Sequence, residues 1–162
     1  MADVKETLTV AIEFERQGQS YYMRFHDLVG DDGAKALMKS LARDEKEHAE
    51  ILSRELSSLG GKAKAPTKEA LEKGLRAIFP ERTAKGSLAA KDAVSALKLG
   101  IRTEERSIDF YSKNGARAAP ELRDVFSKLE RMERGHLELL KENLRSLEDQ
   151  GAWYGYVPIL EG

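Results

Sequence analysis

Apolar residues recur at three- and four-residue steps in four stretches of this chain. The first stripe runs through Leu8, Ile12, Glu15, Gln19, Tyr22 and Val29, and the second through Leu37, Leu41, Glu45, His48, Leu52 and Leu59. The third contains Val94, Leu97, Ile101, Glu104, Ile108 and Tyr111; the fourth contains Leu122, Phe126, Leu129, Glu133, His136, Leu140, Leu144 and Leu147. This is the period of an amphipathic helix. Every stripe is interrupted near its middle by Glu, and two of them by His as well.

The breakers between the stripes predict the topology. Gly30-Asp31-Asp32-Gly33 separates the first two helices, with Asp as N-cap. Pro120 opens the fourth helix, where its missing N–H costs nothing. Gly60-Gly61 closes the second helix and Gly151 the fourth. Short turns make helices one and two antiparallel neighbours, and likewise three and four. The stretch from Gly60 to about Ser87, with a possible short helix over Thr67 to Phe79, is long enough to return along the molecule. Helices two and three can then run parallel. The expected fold is all-α: a four-helix bundle, up-down-down-up, over residues 1–150, with one long crossover between helices two and three. The apolar tail over 151–162 is expected to pack on the end of its own bundle, with a swapped or dimer contact as the alternative, and a homodimer is expected.

Composition narrows the class. The chain has 162 residues, 41% hydrophobic and 34% charged, which suits one domain with a real core. A net charge of −1 offers nucleic acid no electrostatic purchase. No apolar run is long enough to span a membrane, and Met1 to Glu6 shows no leader pattern, so a cytoplasmic protein is expected. There is no Cys, which removes disulfides, thiolate ligands and iron–sulfur clusters from these residues.

The chemistry lies in a repeat. Glu45-x-x-His48 returns as Glu133-x-x-His136, and Ile12, Glu15 and Tyr22 return as Ile101, Glu104 and Tyr111 at an offset one residue larger. With three His in the chain, composition alone accounts for less than one Glu-x-x-His. An internal duplication explains the pattern and implies a pseudo-two-fold axis between the halves. Residues three apart share a helix face, so each Glu-x-x-His points a carboxylate and an imidazole inward with the leucines. Buried carboxylates without partners are very costly, and a pair of metal ions relieves that cost. The candidate ligands are Glu15, Glu45, His48, Glu104, Glu133 and His136. Four carboxylates balance two divalent cations, and the oxygen and nitrogen donors suit iron or manganese, with zinc a redox-silent possibility. Glu45 and Glu133 are expected to bridge, Glu15 and Glu104 to be terminal ligands, and each His to bind one metal. Tyr22 and Tyr111 lean back toward this site and are expected to act in its chemistry through hydroxyls bonded to ligand carboxylates. His26, one turn past Tyr22, and Glu130, one turn before Glu133, read as flank residues. Glu13, Glu47, Glu50, Glu105 and Glu138 read as surface charge.

A Glu from each of two helices plus Glu-x-x-His from the other two is the ligand arrangement of ferritin-like di-iron proteins. Within that superfamily the chain resembles the rubrerythrin family, specifically short members without a rubredoxin domain. The matching strings are Ala11-Ile12-Glu13-Phe14-Glu15-Arg16-Gln17-Gly18 with Tyr21-Tyr22, Asp44-Glu45-Lys46-Glu47-His48, Glu104-Glu105-Arg106-Ser107 with Phe110-Tyr111, and Glu133-Arg134-Gly135-His136. The resemblance covers roughly residues 4 to 148. It implies two iron ions reacting with hydrogen peroxide or dioxygen, with electrons from an external donor such as a rubredoxin. Ser107 stands where rubrerythrins proper carry a further Glu, so the ligand exchange attributed to that Glu does not carry over. Bacterioferritin-like iron oxidation, a dimanganese catalase-like reaction and a metal-stabilised bundle without catalysis are the alternatives.

Overall fold

The structure, a computed structural model, describes residues 4–62, 69 and 90–154. Four long helices account for nearly all of them: α1 (Val4–Leu28), α2 (Asp32–Ser58), α3 (Ala90–Arg117) and α4 (Pro120–Gln150). There is no strand among the described residues. At 1.5 Å per residue each helix is about 40 Å long. The predicted short helix within Thr67 to Phe79, and all but the first residues of the tail, lie outside the described residues.

The helix ends follow their local chemistry. Asp31 caps α2 by accepting a hydrogen bond from the Ala34 backbone N–H at 2.8 Å. Pro120 sits in the first turn of α4, whose N-cap Ala119 makes no side-chain bond. Gly151 ends α4 in the left-handed region at φ 66°, with its N–H on the Leu147 carbonyl. Leu59, the last residue of the second stripe, is a correction: it is the C-cap of α2 and is 45% exposed, because the helix has already ended and Gly60 turns the chain at φ 75°.

The principal packing is within two hairpins, α1 on α2 and α3 on α4. The direction of one hairpin against the other can be read from side chains. Tyr22 on α1 bonds Glu104 on α3, while Tyr111 on α3 bonds Glu15 on α1. Ascending one helix descends the other, so α1 and α3 are antiparallel. Because α1 is also antiparallel to α2, helices α2 and α3 run parallel. The bundle is therefore up-down-down-up, as the hydrophobic pattern predicts.

Among the described residues the apolar core falls into two clusters. One apolar cluster joins Leu8, Ala11 and Ile12 of α1 with Leu52 and Leu56 of α2, Tyr111 of α3, and Phe126 and Leu129 of α4. The other joins Tyr21, Tyr22 and Phe25 with Leu37, Met38 and Leu41, Ala93, Ala96 and Leu97, and Leu140 and Leu147. Between them every helix places a buried polar residue. Trp153, from the start of the tail, packs on the second cluster with its ring 6.0 Å from Phe25.

Leu52 is fully buried. Leu52→Ala should cost about 2–5 kcal/mol, and Asp31→Ala about 1 kcal/mol through the lost cap. Denaturant unfolding monitored by circular dichroism measures both, and a smaller loss for Leu52→Ala than for Asp31→Ala would contradict this packing.

Candidate metal centre

The polar layer contains the six residues the repeat singles out. Glu15, Glu45, His48, Glu104, Glu133 and His136 are all at most 4% exposed. Their donor atoms form two overlapping groups, Glu15–Glu45–His48–Glu133 and Glu45–Glu104–Glu133–His136, each with its donor atoms within 4.8 Å of one another. Glu45 and Glu133 belong to both.

Each imidazole turns Nδ1 toward the carboxylates. His48 Nδ1 lies 3.2 Å from both Glu15 Oε2 and Glu133 Oε1. His136 Nδ1 lies 2.9 Å from Glu45 Oε1, 3.0 Å from Glu133 Oε2 and 3.8 Å from Glu104 Oε1. The contacts from His136 Nδ1 to Glu45 and Glu133 are close but off the direction of a hydrogen bond, and Glu45 Oε1, Glu133 Oε2 and His136 Nδ1 have no hydrogen-bond partner among the described residues. Buried polar atoms of a protein are normally paired. Three orphaned ligand atoms aimed at one another are what a cation in the Glu45–Glu104–Glu133–His136 group would satisfy, and the Glu15–Glu45–His48–Glu133 group offers the matching donor set for a second. The two rings stack with centroids 5.7 Å apart.

Electrostatics bear the strain of this arrangement. Burial, followed by the Glu133, Glu15 and Glu104 carboxylates, pushes Glu45 well above the usual carboxylate range. Burial and then Glu133 do the same to Glu104. Burial would lower the pKa of His48, but Glu133 and Glu15 outweigh it and raise the imidazole to about 10. His136 is raised likewise by Asp44, Glu133 and Glu45 against the effect of burial. Burial opposes ionisation of Glu133, yet His136 and His48 together hold it well below the usual range. Protons thus take up the charge that cations would.

The expected tyrosine contacts are present, and they cross between the halves. Tyr22 Oη donates to Glu104 Oε1 and Tyr111 Oη to Glu15 Oε1. Burial, then the neighbouring carboxylate in each case, keeps both phenols protonated and able to donate. His26 stays at the flank, half-buried beside Asp27, and Glu130 pairs with Arg134 at 2.7 Å on the surface. Glu47, Glu50, Glu105 and Glu138 are exposed, and Glu13 is half-buried near Gln17.

Three neighbours of the site escape sequence reasoning. Asp44 Oδ2 lies 3.2 Å from His136 Nε2. Tyr21 Oη donates to the Ala96 carbonyl beside Tyr22. Gly18 leaves room for Glu45: a Cβ there would stand 3.1 Å from Glu45 Oε2. In sequence Asp44 adjoins Glu45 and Gly18 lies one turn after Glu15, and all three neighbours stand within the strings that carry the family resemblance, which by themselves assign them no contact.

With this geometry in hand, comparison with known proteins agrees. The family profile described as Rubrerythrin matches residues 6–144. No curated protein matches the sequence. A solved structure of a hypothetical protein from Pyrococcus furiosus is similar at 22% identity, covering 91% of this chain and 92% of that one with a TM-score of 0.72. That degree of identity speaks to the fold alone. The fold is the rubrerythrin and ferritin-like four-helix bundle. The profile match over most of the chain shows that the protein belongs to the rubrerythrin family, whose members are typically di-iron oxidoreductases. No helix among the described residues is long and apolar enough to cross a membrane.

Stability should follow metal and pH together. His48 has its folded pKa raised from 6.5 to about 10. Its contribution is complete below pH 6.5 and is lost as pH rises through about 10. Raised pKa values at His136, Glu45 and Glu104 act in the same sense. The melting temperature of chelator-treated protein should therefore fall between pH 6.5 and 10. Two equivalents of Fe(II), added anaerobically, should raise it and flatten the slope, because metal replaces the protons. Equal melting curves with and without metal at pH 7 would contradict this.

Gly18→Ala separates folding from site geometry. Alanine inside a helix gains about 0.5–1 kcal/mol over glycine, but its Cβ crowds Glu45 Oε2. The variant should stay folded and bind both metals about tenfold more weakly or worse, as measured by calorimetric titration.

Proposed function

We propose that the protein is a di-iron oxidoreductase that reduces hydrogen peroxide or reacts with dioxygen, drawing electrons from a donor outside these residues. The observation that carries this reading is the pair of donor groups sharing Glu45 and Glu133, buried and left with unpaired donor atoms. In this reading Glu45 and Glu133 would be shared by the two metals, with Glu15 and His48 holding one of them and Glu104 and His136 the other, each imidazole offering Nδ1. Ferrous iron held there would supply the two electrons that, with two protons, reduce hydrogen peroxide to two waters.

The chain's own residues do the rest. The two apolar clusters keep bulk water from the polar layer on both sides. Tyr22 and Tyr111 each hold one oxygen of a terminal carboxylate, so Glu104 and Glu15 keep their orientation while charge at the site changes. The 162 residues contain no Cys, so no iron–sulfur relay lies among them. A rubredoxin is the class of donor that the family relation suggests.

The roles predict distinct losses. Glu45→Ala and Glu133→Ala should each lose both metals, and His48→Ala and His136→Ala one apiece, by metal analysis of anaerobically loaded protein. Tyr22→Phe and Tyr111→Phe should keep full metal content and change only the rate of oxidation by peroxide in stopped flow.

Turnover tests the reaction itself. Peroxide should oxidise the diferrous protein once and stop, and continuous consumption should need rubredoxin with its reductase. Continuous consumption without any donor would replace this reading with a catalase-type cycle.

A further inference from the structure

The duplication that builds the centre is broken at one position beside each histidine. Asp44 precedes Glu45, and the corresponding residue before Glu133 is Met132. The consequence is visible at the imidazoles. His136 presents Nδ1 to the carboxylates and has Asp44 Oδ2 at 3.2 Å from Nε2. His48 presents Nδ1 in the same way, is fully buried, and its Nε2 has no hydrogen-bond partner among the described residues. Met132 packs on the apolar cluster that holds Leu129 and Phe126. On its other oxygen Asp44 has Arg43 Nε at 3.9 Å from Oδ1.

The two imidazoles therefore meet a metal on different terms. For Nδ1 to bind a cation, the proton must sit on Nε2. At His136 that N–H finds a carboxylate, which selects the tautomer, holds the ring and makes Nδ1 a better donor. At His48 the same tautomer places an N–H in a buried site without an acceptor, which is unfavourable. The surroundings of the tyrosines differ in the same sense. Tyr22, on the Glu104 side, adjoins Tyr21, whereas Tyr111, on the Glu15 side, adjoins Phe110 and Phe126.

We propose that the two metal positions are unequal and that Asp44 sets their order: the position of Glu104 and His136 fills first, and that of Glu15 and His48 is the weaker, exchangeable one. This inference rests on the two-metal reading above. Asp44 touches neither metal nor substrate in it and is a positioning residue for His136. A weaker second position also means that a centre loaded with one equivalent holds a single, defined metal rather than a mixture.

The test is anaerobic titration of metal-free protein with Co(II), followed by calorimetry and visible absorption, with anomalous diffraction at the cobalt edge from crystals holding one equivalent. Two steps should differ on the order of 10- to 100-fold, with the first cobalt beside Glu104 and His136. Asp44→Ala should lower the first step toward the second and leave the second unchanged. Met132→Asp, checked for folding by circular dichroism, should raise the second step. Equal sites in the parent, a first cobalt beside His48, or unchanged steps in Asp44→Ala would overturn the proposal while the two-metal reading survives. A protein that takes up no second cobalt would overturn that reading as well.

Discussion

Four carboxylates and two imidazoles face one another in the middle of this bundle, out of reach of water. An isolated buried charge costs several kcal/mol even after relaxation, and carboxylates crowded together raise that cost further. The protein meets it by keeping Glu45 and Glu104 prone to protonation, by charging the histidines against Glu133, and by leaving donor atoms that a cation would satisfy. The same layer divides the hydrophobic core into two clusters, so each half of the bundle must be stable around an expensive middle.

The reciprocal tyrosine bonds connect fold and site. Each hairpin supplies a phenol to the terminal carboxylate of the other, so the docking of the halves and the orientation of Glu15 and Glu104 are one event. A slip of α1 against α3 by one turn would break both bonds at once and leave two buried carboxylates less satisfied, which penalises wrong registers. The near-symmetry of this exchange also makes the departures from symmetry informative, since Asp44 against Met132 and Tyr21 against Phe110 are differences between positions that otherwise match.

Much of the architecture was legible because it depends on local periodicity. Helix stripes, the Asp31 cap, Pro120 and Gly151 each act within a turn or two of sequence. The six inward polar residues were legible for the same reason: Glu45 with His48, and Glu133 with His136, share a face by helix geometry alone. The duplication then paired them without any knowledge of the fold. Leu59 was misread because periodicity continues past the point where Gly60 turns the backbone.

The sequence by itself thus determined four helices, their order of direction, and which side chains must share the interior. The tertiary structure decided who touches whom. Tyr22 bonds Glu104 rather than a residue of its own helix, Asp44 reaches His136 on α4, and Gly18 clears space for Glu45 on α2. Those contacts depend on the relative height and rotation of separate helices to within an ångström or so. That alignment is set by packing of the whole bundle, and no short stretch of sequence encodes it.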